Sequence, residues 1–194
     1  LIDASPVVSA FVDLPAAGGD ALLACGVSHN FAAAAADASV VPTLYFGIAG
    51  STQHDLPAIS WPGRAGVELD LDGDGEFDYE ASIDTHTAAD DYGDVSISDV
   101  WSVRVVRAGQ PVSRDPYASR LNAVDPTTLD TYVHHNSVYV LPVRLPDLGL
   151  TALQGPIAVR PWVRDATGDQ RYGAQVSFDA TTLPFDPTVA GVQG

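Results

Sequence analysis

Residues 70–78 read Asp-Leu-Asp-Gly-Asp-Gly-Glu-Phe-Asp, and this stretch constrains the chain more than any other. Carboxylates alternate at Asp70, Asp72 and Asp74, a glycine follows at Gly75, and a further carboxylate lies at Asp78. Counted from Asp70, these residues fill the early ligand positions, the sharp-turn position and the ninth position of a calcium-binding loop. The pattern therefore predicts Ca²⁺ bound by the side chains of Asp70, Asp72, Asp74 and Asp78 and by the main-chain carbonyl of Glu76.

One position departs from the calcium loop of an EF-hand. Ala81 stands where the bidentate glutamate is expected, and Glu80, one residue earlier, could replace it only with a different backbone path. The alternative interpretation is a solvated acidic turn without an ion.

The flanks of the loop predict strands and not the helices of an EF-hand. Val67, Leu69 and Leu71 alternate with acidic residues before the loop, and the apolar positions from Phe77 to Ile83 alternate in the same way after it. A period of two is typical of a half-buried strand. We therefore expect the loop to form the tip of a β-hairpin, in which a structural ion offsets the repulsion between its carboxylates.

The charge balance disfavours two classes of partner. The chain has 25 acidic residues, of which 22 are Asp, against nine bases, all Arg, and its net charge is −16. Binding to nucleic acid or to an anionic membrane needs basic patches, so we expect neither partner. There is no Met, which suggests a processed chain or a segment of a longer protein.

The residues that often carry catalysis form no recognisable motif, and we predict no catalytic residue. Cys25 is the only cysteine and is expected to be a small buried side chain. The five histidines (His29, His54, His86, His134 and His135) lack the spacing of a zinc site. Trp101 and Trp162 lie in strand-like segments and are expected to be buried, whereas Trp61 is a candidate for stacking on a sugar.

The rest of the chain is predicted to be all-β. Alternating apolar segments recur at 8–14, 21–27, 40–48, 101–106, 132–145, 157–163 and 174–178, separated by turns rich in Gly, Pro and Asp. This pattern favours an antiparallel β-sandwich of the immunoglobulin or jelly-roll kind. One helical turn is expected at 32–36 with Asn30 as its cap, and 109–130 is expected to be a long loop. We expect a main domain at 38–194, preceded by an N-terminal β segment at 1–37 that is either packed with it or left over from a preceding module.

Three segments together resemble the non-catalytic C-terminal β-sandwich region of secreted bacterial subtilisin-like serine peptidases. They are Leu-Tyr-Phe-Gly-Ile from Leu44, the stretch from Gly66 to Glu80 that contains the acidic loop, and the stretch from Asn136 to Leu150. The resemblance covers about residues 40–165. The Asp, His and Ser signatures of the peptidase are absent from the chain, so no catalytic residue carries over.

The resemblance implies a secreted, calcium-stabilised accessory module whose partner is the catalytic domain of its parent protease. Over the matching stretch, Asp70, Asp72, Asp74 and Asp78 carry over as calcium ligands. Such a module would provide stability or attachment to substrate. The alternative function is a carbohydrate-binding or adhesive module that holds a polysaccharide or another cell-surface polymer.

Overall fold

The computed structural model describes residues 10–11, 22–54, 64–86, 100–107, 110–113, 120–123, 136–164 and 170–179. The strands are β1 (Ala10–Phe11), β2 (Leu22–His29), β3 (Thr43–His54), β4 (Arg64–Asp70), β5 (Tyr79–His86), β6 (Val100–Arg107), β7 (Gln110–Ser113), β8 (Asn136–Arg144), β9 (Ile157–Arg164), β10 (Gln170–Tyr172) and β11 (Val176–Phe178). A six-residue helix, α1 (Phe31–Ala36), follows β2, and a 3₁₀ helix (Leu145–Leu148) follows β8.

The strands form two antiparallel sheets. One has four strands in the order β1-β2-β3-β8, and the other has the order β10-β9-β4-β5-β6-β7, with β11 also paired to β9. The apolar residues that alternate along the strands of both sheets meet in one buried cluster. Its most fully buried members are Leu44, Phe46, Val67, Leu69, Ala81, Val105, Leu121, Leu141, Val143 and Val159. The prediction of an all-β antiparallel sandwich is confirmed.

The two sheets are joined along one side by residues 120–123. The Leu121 amide donates to the Trp101 carbonyl in β6, at 2.9 Å, and the Asn122 amide donates to the Val140 carbonyl in β8, at 2.8 Å. The Asn122 side chain completes the second link, because its Oδ1 accepts a hydrogen bond from the Val140 amide at 2.7 Å. This segment therefore connects β6 of one sheet to β8, which lies at the end of the other.

The prediction that residues 109–130 form a long loop is wrong in part. Residues 110–113 form β7, which pairs with β6, and Arg120 makes an isolated bridge to Ser102. The strand was not predicted because Pro111 argued against it. Proline is accepted in a strand only where its missing N–H is not needed, as at a sheet edge.

Asn30 does not cap α1 with its side chain. Its Oδ1 accepts a hydrogen bond from the Thr43 amide at 2.7 Å, and its Nδ2 donates to the Val41 carbonyl at 3.1 Å. The helix itself is present where it was expected, but the Asn30 amide ties the end of β2 to the start of β3.

The N-terminal part and the main part of the chain share a sheet. β2 pairs with β3 from Leu22 to His29, and Cys25 and Val27 belong to the buried cluster. The division at residue 37/38 falls between α1 and β3 and remains a prediction. The predicted segment 8–14 is described only at Ala10–Phe11, and Tyr132 and Val133 lie outside the described residues.

Candidate metal centre

The acidic loop lies at the tip of a β-hairpin, as its flanks predicted. β4 ends at Asp70 and β5 begins at Tyr79, with Val67 opposite Ala81 and Leu69 opposite Tyr79. The Asp78 amide donates to the Leu69 carbonyl at 2.9 Å and closes the hairpin at the base of the loop. No residue between 64 and 86 is helical, so the loop has strands on both sides.

Three of the predicted carboxylates come together. Asp70, Asp72 and Asp78 each offer one oxygen, and these three oxygens lie within 4.8 Å of one another. Asp70 is buried, with 2% of its surface exposed, whereas Asp78 is half-buried and Asp72 is exposed. A cluster that reaches from the buried end of β4 to the surface could hold a metal ion.

Main-chain amides of the loop hold two of these carboxylates in place. Asp70 accepts hydrogen bonds from the Gly73 amide at its Oδ1, at 2.7 Å, and from the Gly75 amide at its Oδ2, at 3.0 Å. Asp78 Oδ2 accepts from the Leu71 amide at 2.9 Å. The carboxylates are therefore oriented by the backbone, which folds back around them.

Two glycines permit this backbone path. Gly75, the predicted sharp-turn residue, has φ of 90°, and Gly73 has φ of 77°. This left-handed region is open to glycine because it has no Cβ. The sequence pattern identified the role of Gly75, but it gave no separate reason to expect the same conformation at Gly73.

Asp74 is not among the three clustered carboxylates. The Asp74 carboxylate accepts a hydrogen bond from the Glu76 amide at 2.8 Å, and both residues are exposed. The roles of Asp74 and of the Glu76 carbonyl as ligands remain predictions. Glu80 is a strand residue of β5 opposite Glu68, and it is not part of the cluster.

The cluster has no cationic side chain as a partner within the described residues. Ion pairs instead join Arg160 to Glu68 and Arg144 to Asp147, at 2.6 and 2.8 Å. Within the described residues, the buried Asp70 carboxylate is compensated by the amides of Gly73 and Gly75. Taking a carboxylate out of water is costly unless it is paired, and a cation held by the cluster could supply that pairing.

Other residues considered from the sequence do not form a second site in the described part of the chain. Cys25 is buried, and its burial raises the pKa of the thiol to about 12, which suits an inert side chain. His29 is buried and stacks on Phe31, with ring centroids 4.3 Å apart. Trp61, His134 and His135 lie outside the described residues.

Both tryptophans expected to be buried are buried, but on different faces. Trp101 belongs to the cluster between the sheets. Trp162, only 1% exposed, lies on the opposite face of its sheet, directly across from Gly66 of β4. Its burial was predicted from its place in a strand segment, and the alternation along 157–164 places it on the face of Arg160 and Arg164.

Comparison with known proteins gives no family. No protein-family model, no curated protein and no solved structure matches this chain. The similarity to the accessory region of subtilisin-like peptidases remains a prediction. In the part of the chain that the structure describes, no helix is long and apolar enough to cross a membrane.

Proposed function

We propose that this chain is a calcium-stabilised, non-catalytic β-sandwich module, in which one Ca²⁺ joins β4 and β5 at their shared tip. The observation that carries the proposal is the convergence of Asp70, Asp72 and Asp78 on a hairpin held by main-chain amides. All three donors are carboxylate oxygens. Hard oxygen donors suit Ca²⁺ or Mg²⁺, whereas zinc sites are built mainly from Cys and His.

Calcium fits this loop better than magnesium does. Mg²⁺ requires near-ideal octahedral geometry and usually keeps several waters, whereas Ca²⁺ accepts six to eight oxygens in irregular arrangements. The loop offers carboxylates of unequal burial on an irregular backbone, with the Glu76 carbonyl and the Asp74 carboxylate nearby in sequence. Asp70, Asp72 and Asp78 would hold the ion, and its charge would offset their mutual repulsion.

The stabilisation acts on the pairing of two central strands. β4 and β5 lie in the middle of the larger sheet, between β9 and β6. Leu69 and Tyr79, the last pair before the loop, are both in the buried cluster. An ion at the tip would hold this pair in register and would therefore stabilise the core on either side of it.

The proposed type of site supports a role in a secreted protein. Calcium modules in the extracellular medium bind with dissociation constants of about 10⁻⁴–10⁻³ M, and this medium supplies enough calcium to fill them. The resemblance of residues 44–48, 66–80 and 136–150 supports attachment to a subtilisin-like protease, whose catalytic domain would be the partner. The absence of that family's catalytic signatures from the 194 residues supports an accessory role.

Calorimetric titration of the full chain with CaCl₂ tests the proposal. We expect one site per chain, and we expect Asp72→Asn to weaken binding by about tenfold or more because a ligand charge is lost. Asp72 is a suitable position because it is exposed and its Oδ1 makes only a 3.2 Å bond to the Asp74 amide, which an asparagine oxygen could also accept.

Asp37→Asn is the matched control, since it removes the same charge from an exposed residue outside the loop. Its calcium affinity should equal that of the wild type. Absence of calcium binding by the wild-type chain, or equal affinities for all three proteins, would contradict the proposed site.

A further inference from the structure

Five side chains of β9 and β10 share the face of the larger sheet that points away from the core. Tyr172 pairs with Trp162 and Gln170 pairs with Arg164 across the two strands. Residues directly opposite each other in an antiparallel pair lie on the same face, and so do residues two apart along a strand. We call Arg160, Trp162, Arg164, Gln170 and Tyr172 the aromatic–arginine face.

The side chains of this face hold one another in place. The Arg160 guanidinium lies 4.3 Å from the ring centroids of both Phe77 and Tyr172, and its Nε donates to Glu68 at 2.7 Å. Gln170 joins the other side, because its Oε1 accepts from Arg164 and its Nε2 donates to the Tyr172 hydroxyl at 3.0 Å. Side chains ordered in advance lose less entropy when a ligand binds.

Two observations on this face point to a ligand. The Trp162 indole is 1% exposed, and its Nε1 is buried without a hydrogen-bond partner among the described residues. Buried donors are nearly always satisfied, so this N–H calls for an acceptor oxygen. Beside it, Tyr172 is 45% exposed, and only one other large hydrophobic residue of the described part, Val41, is comparably exposed.

The lack of a side chain at Gly66 makes room for the indole. A Cβ at Gly66 would lie 2.8 Å from Trp162 Cζ2 and 2.9 Å from Cε2, the ring carbon bonded to Nε1. The indole therefore lies directly over the backbone of β4, on the face of the sheet opposite the buried cluster.

The charges of the face nearly balance, because the guanidinium groups of Arg160 and Arg164 lie on the same side of the sheet as two carboxylates. Glu68 and Glu80 lie on the same side of the sheet, opposite each other on β4 and β5. A face with balanced charges, on a chain whose net charge is −16, favours an uncharged ligand over a polyanion. Fixed planar donors beside an exposed aromatic ring suit a sugar, whose hydroxyls accept hydrogen bonds and whose apolar C–H face packs on the ring.

We infer that the aromatic–arginine face binds a neutral polysaccharide, with the exposed ring of Tyr172 packing against a sugar and Arg164 and Gln170 bonding its hydroxyls. This binding goes beyond the metal-dependent stability proposed above and does not use the three clustered aspartates. Phe77 of the acidic loop contacts the face, because it stacks on Arg160.

The test is binding of the full chain to an array of neutral polysaccharides (β-glucan, xylan, mannan and galactan), with hyaluronan and heparin as acidic probes, all in 2 mM CaCl₂. We expect binding to at least one neutral polymer and to neither acidic one. Affinity electrophoresis in the bound polymer then gives dissociation constants for variants. Tyr172→Ala should weaken binding at least tenfold, and Tyr172→Phe should keep most of it because the ring remains.

Val41→Ala is the matched control, since it truncates a residue that is 43% exposed and precedes β3 of the other sheet. Its affinity should be that of the wild type. Melting temperatures of all variants should agree within a few degrees, which separates lost binding from lost folding. Binding to no neutral polymer, preference for the acidic probes, or full binding by Tyr172→Ala would overturn the inference, whether or not calcium binds.

Discussion

Asn122 is the residue whose replacement best tests how the two sheets are joined. Its side-chain Oδ1 accepts the Val140 amide at 2.7 Å, while its own amide donates to the Val140 carbonyl at 2.8 Å. It is also the one non-glycine residue with positive φ, 63°, in the described part of the chain. Asparagine tolerates this conformation better than most residues do.

Two losses add up in Asn122→Ala. The Val140 amide loses its acceptor in a half-buried position, which costs about 1–2 kcal/mol, toward the low end of the range for buried groups. Placing an alanine in the left-handed region costs about 1 kcal/mol more. We therefore expect the free energy of unfolding to fall by about 2–3 kcal/mol.

Asn122→Gly separates the lost hydrogen bond from the backbone strain, because glycine adopts the left-handed conformation readily but offers no side-chain acceptor. Its loss should be smaller than that of alanine by about 1 kcal/mol. Urea denaturation at 25 °C, followed by tryptophan fluorescence, measures both. If both variants stay within about 0.5 kcal/mol of the wild type, the link from residue 122 to β8 contributes nothing and the reasoning is refuted.

Two further predictions concern tight packing and a buried thiol. Gly66→Ala would place a Cβ 2.5 Å from the Ala81 carbonyl oxygen and should cost about 1–3 kcal/mol in urea denaturation, whereas Gly155→Ala, which meets no atom within 4 Å, should change little. Equal effects of the two would contradict the close approach at Gly66. The pKa of Cys25, raised by burial from 9.0 to about 12, favours the neutral thiol in the folded state. The contribution of the buried thiol to the free energy of unfolding is therefore complete below pH 9. It is lost as the pH rises from 9 to 12, by about 4 kcal/mol in all. Cys25→Ala should flatten this decline in stability with pH, and an unchanged slope would show that the thiol is not responsible.

The sequence predicted the strands whose side chains alternate regularly. Val67, Leu69, Ala81 and Ile83 are all buried on one face, as a period of two requires. The hairpin and its acidic tip were predictable for the same reason, since the glycines and aspartates of the loop are local in sequence. Three of the carboxylates converge as predicted, while Asp74 lies outside the cluster.

Features that depend on pairing between distant strands could not be predicted. β7 contains Pro111, and β10 is a three-residue polar strand, so neither has an apolar pattern. The position of Asn30 predicted that it would cap a helix. Instead, its side-chain amide hydrogen-bonds the main chain of Val41 and Thr43, across the connection to β3. Arg160 and Phe77 are 83 residues apart and meet only because β9 pairs with β4 beside the loop.

The central claim is that an ion at the hairpin tip stabilises the sandwich, and thermal melting with and without calcium tests it most directly. For a dissociation constant of about 10⁻⁴–10⁻³ M, 10 mM CaCl₂ should add about 1.4–2.7 kcal/mol. For a chain of this length, this corresponds to a rise in Tm of about 3–11 °C over the value in EDTA. The rise should shrink in Asp72→Asn and persist in Asp37→Asn. Identical melting temperatures of the wild-type chain in calcium and in EDTA would contradict the account.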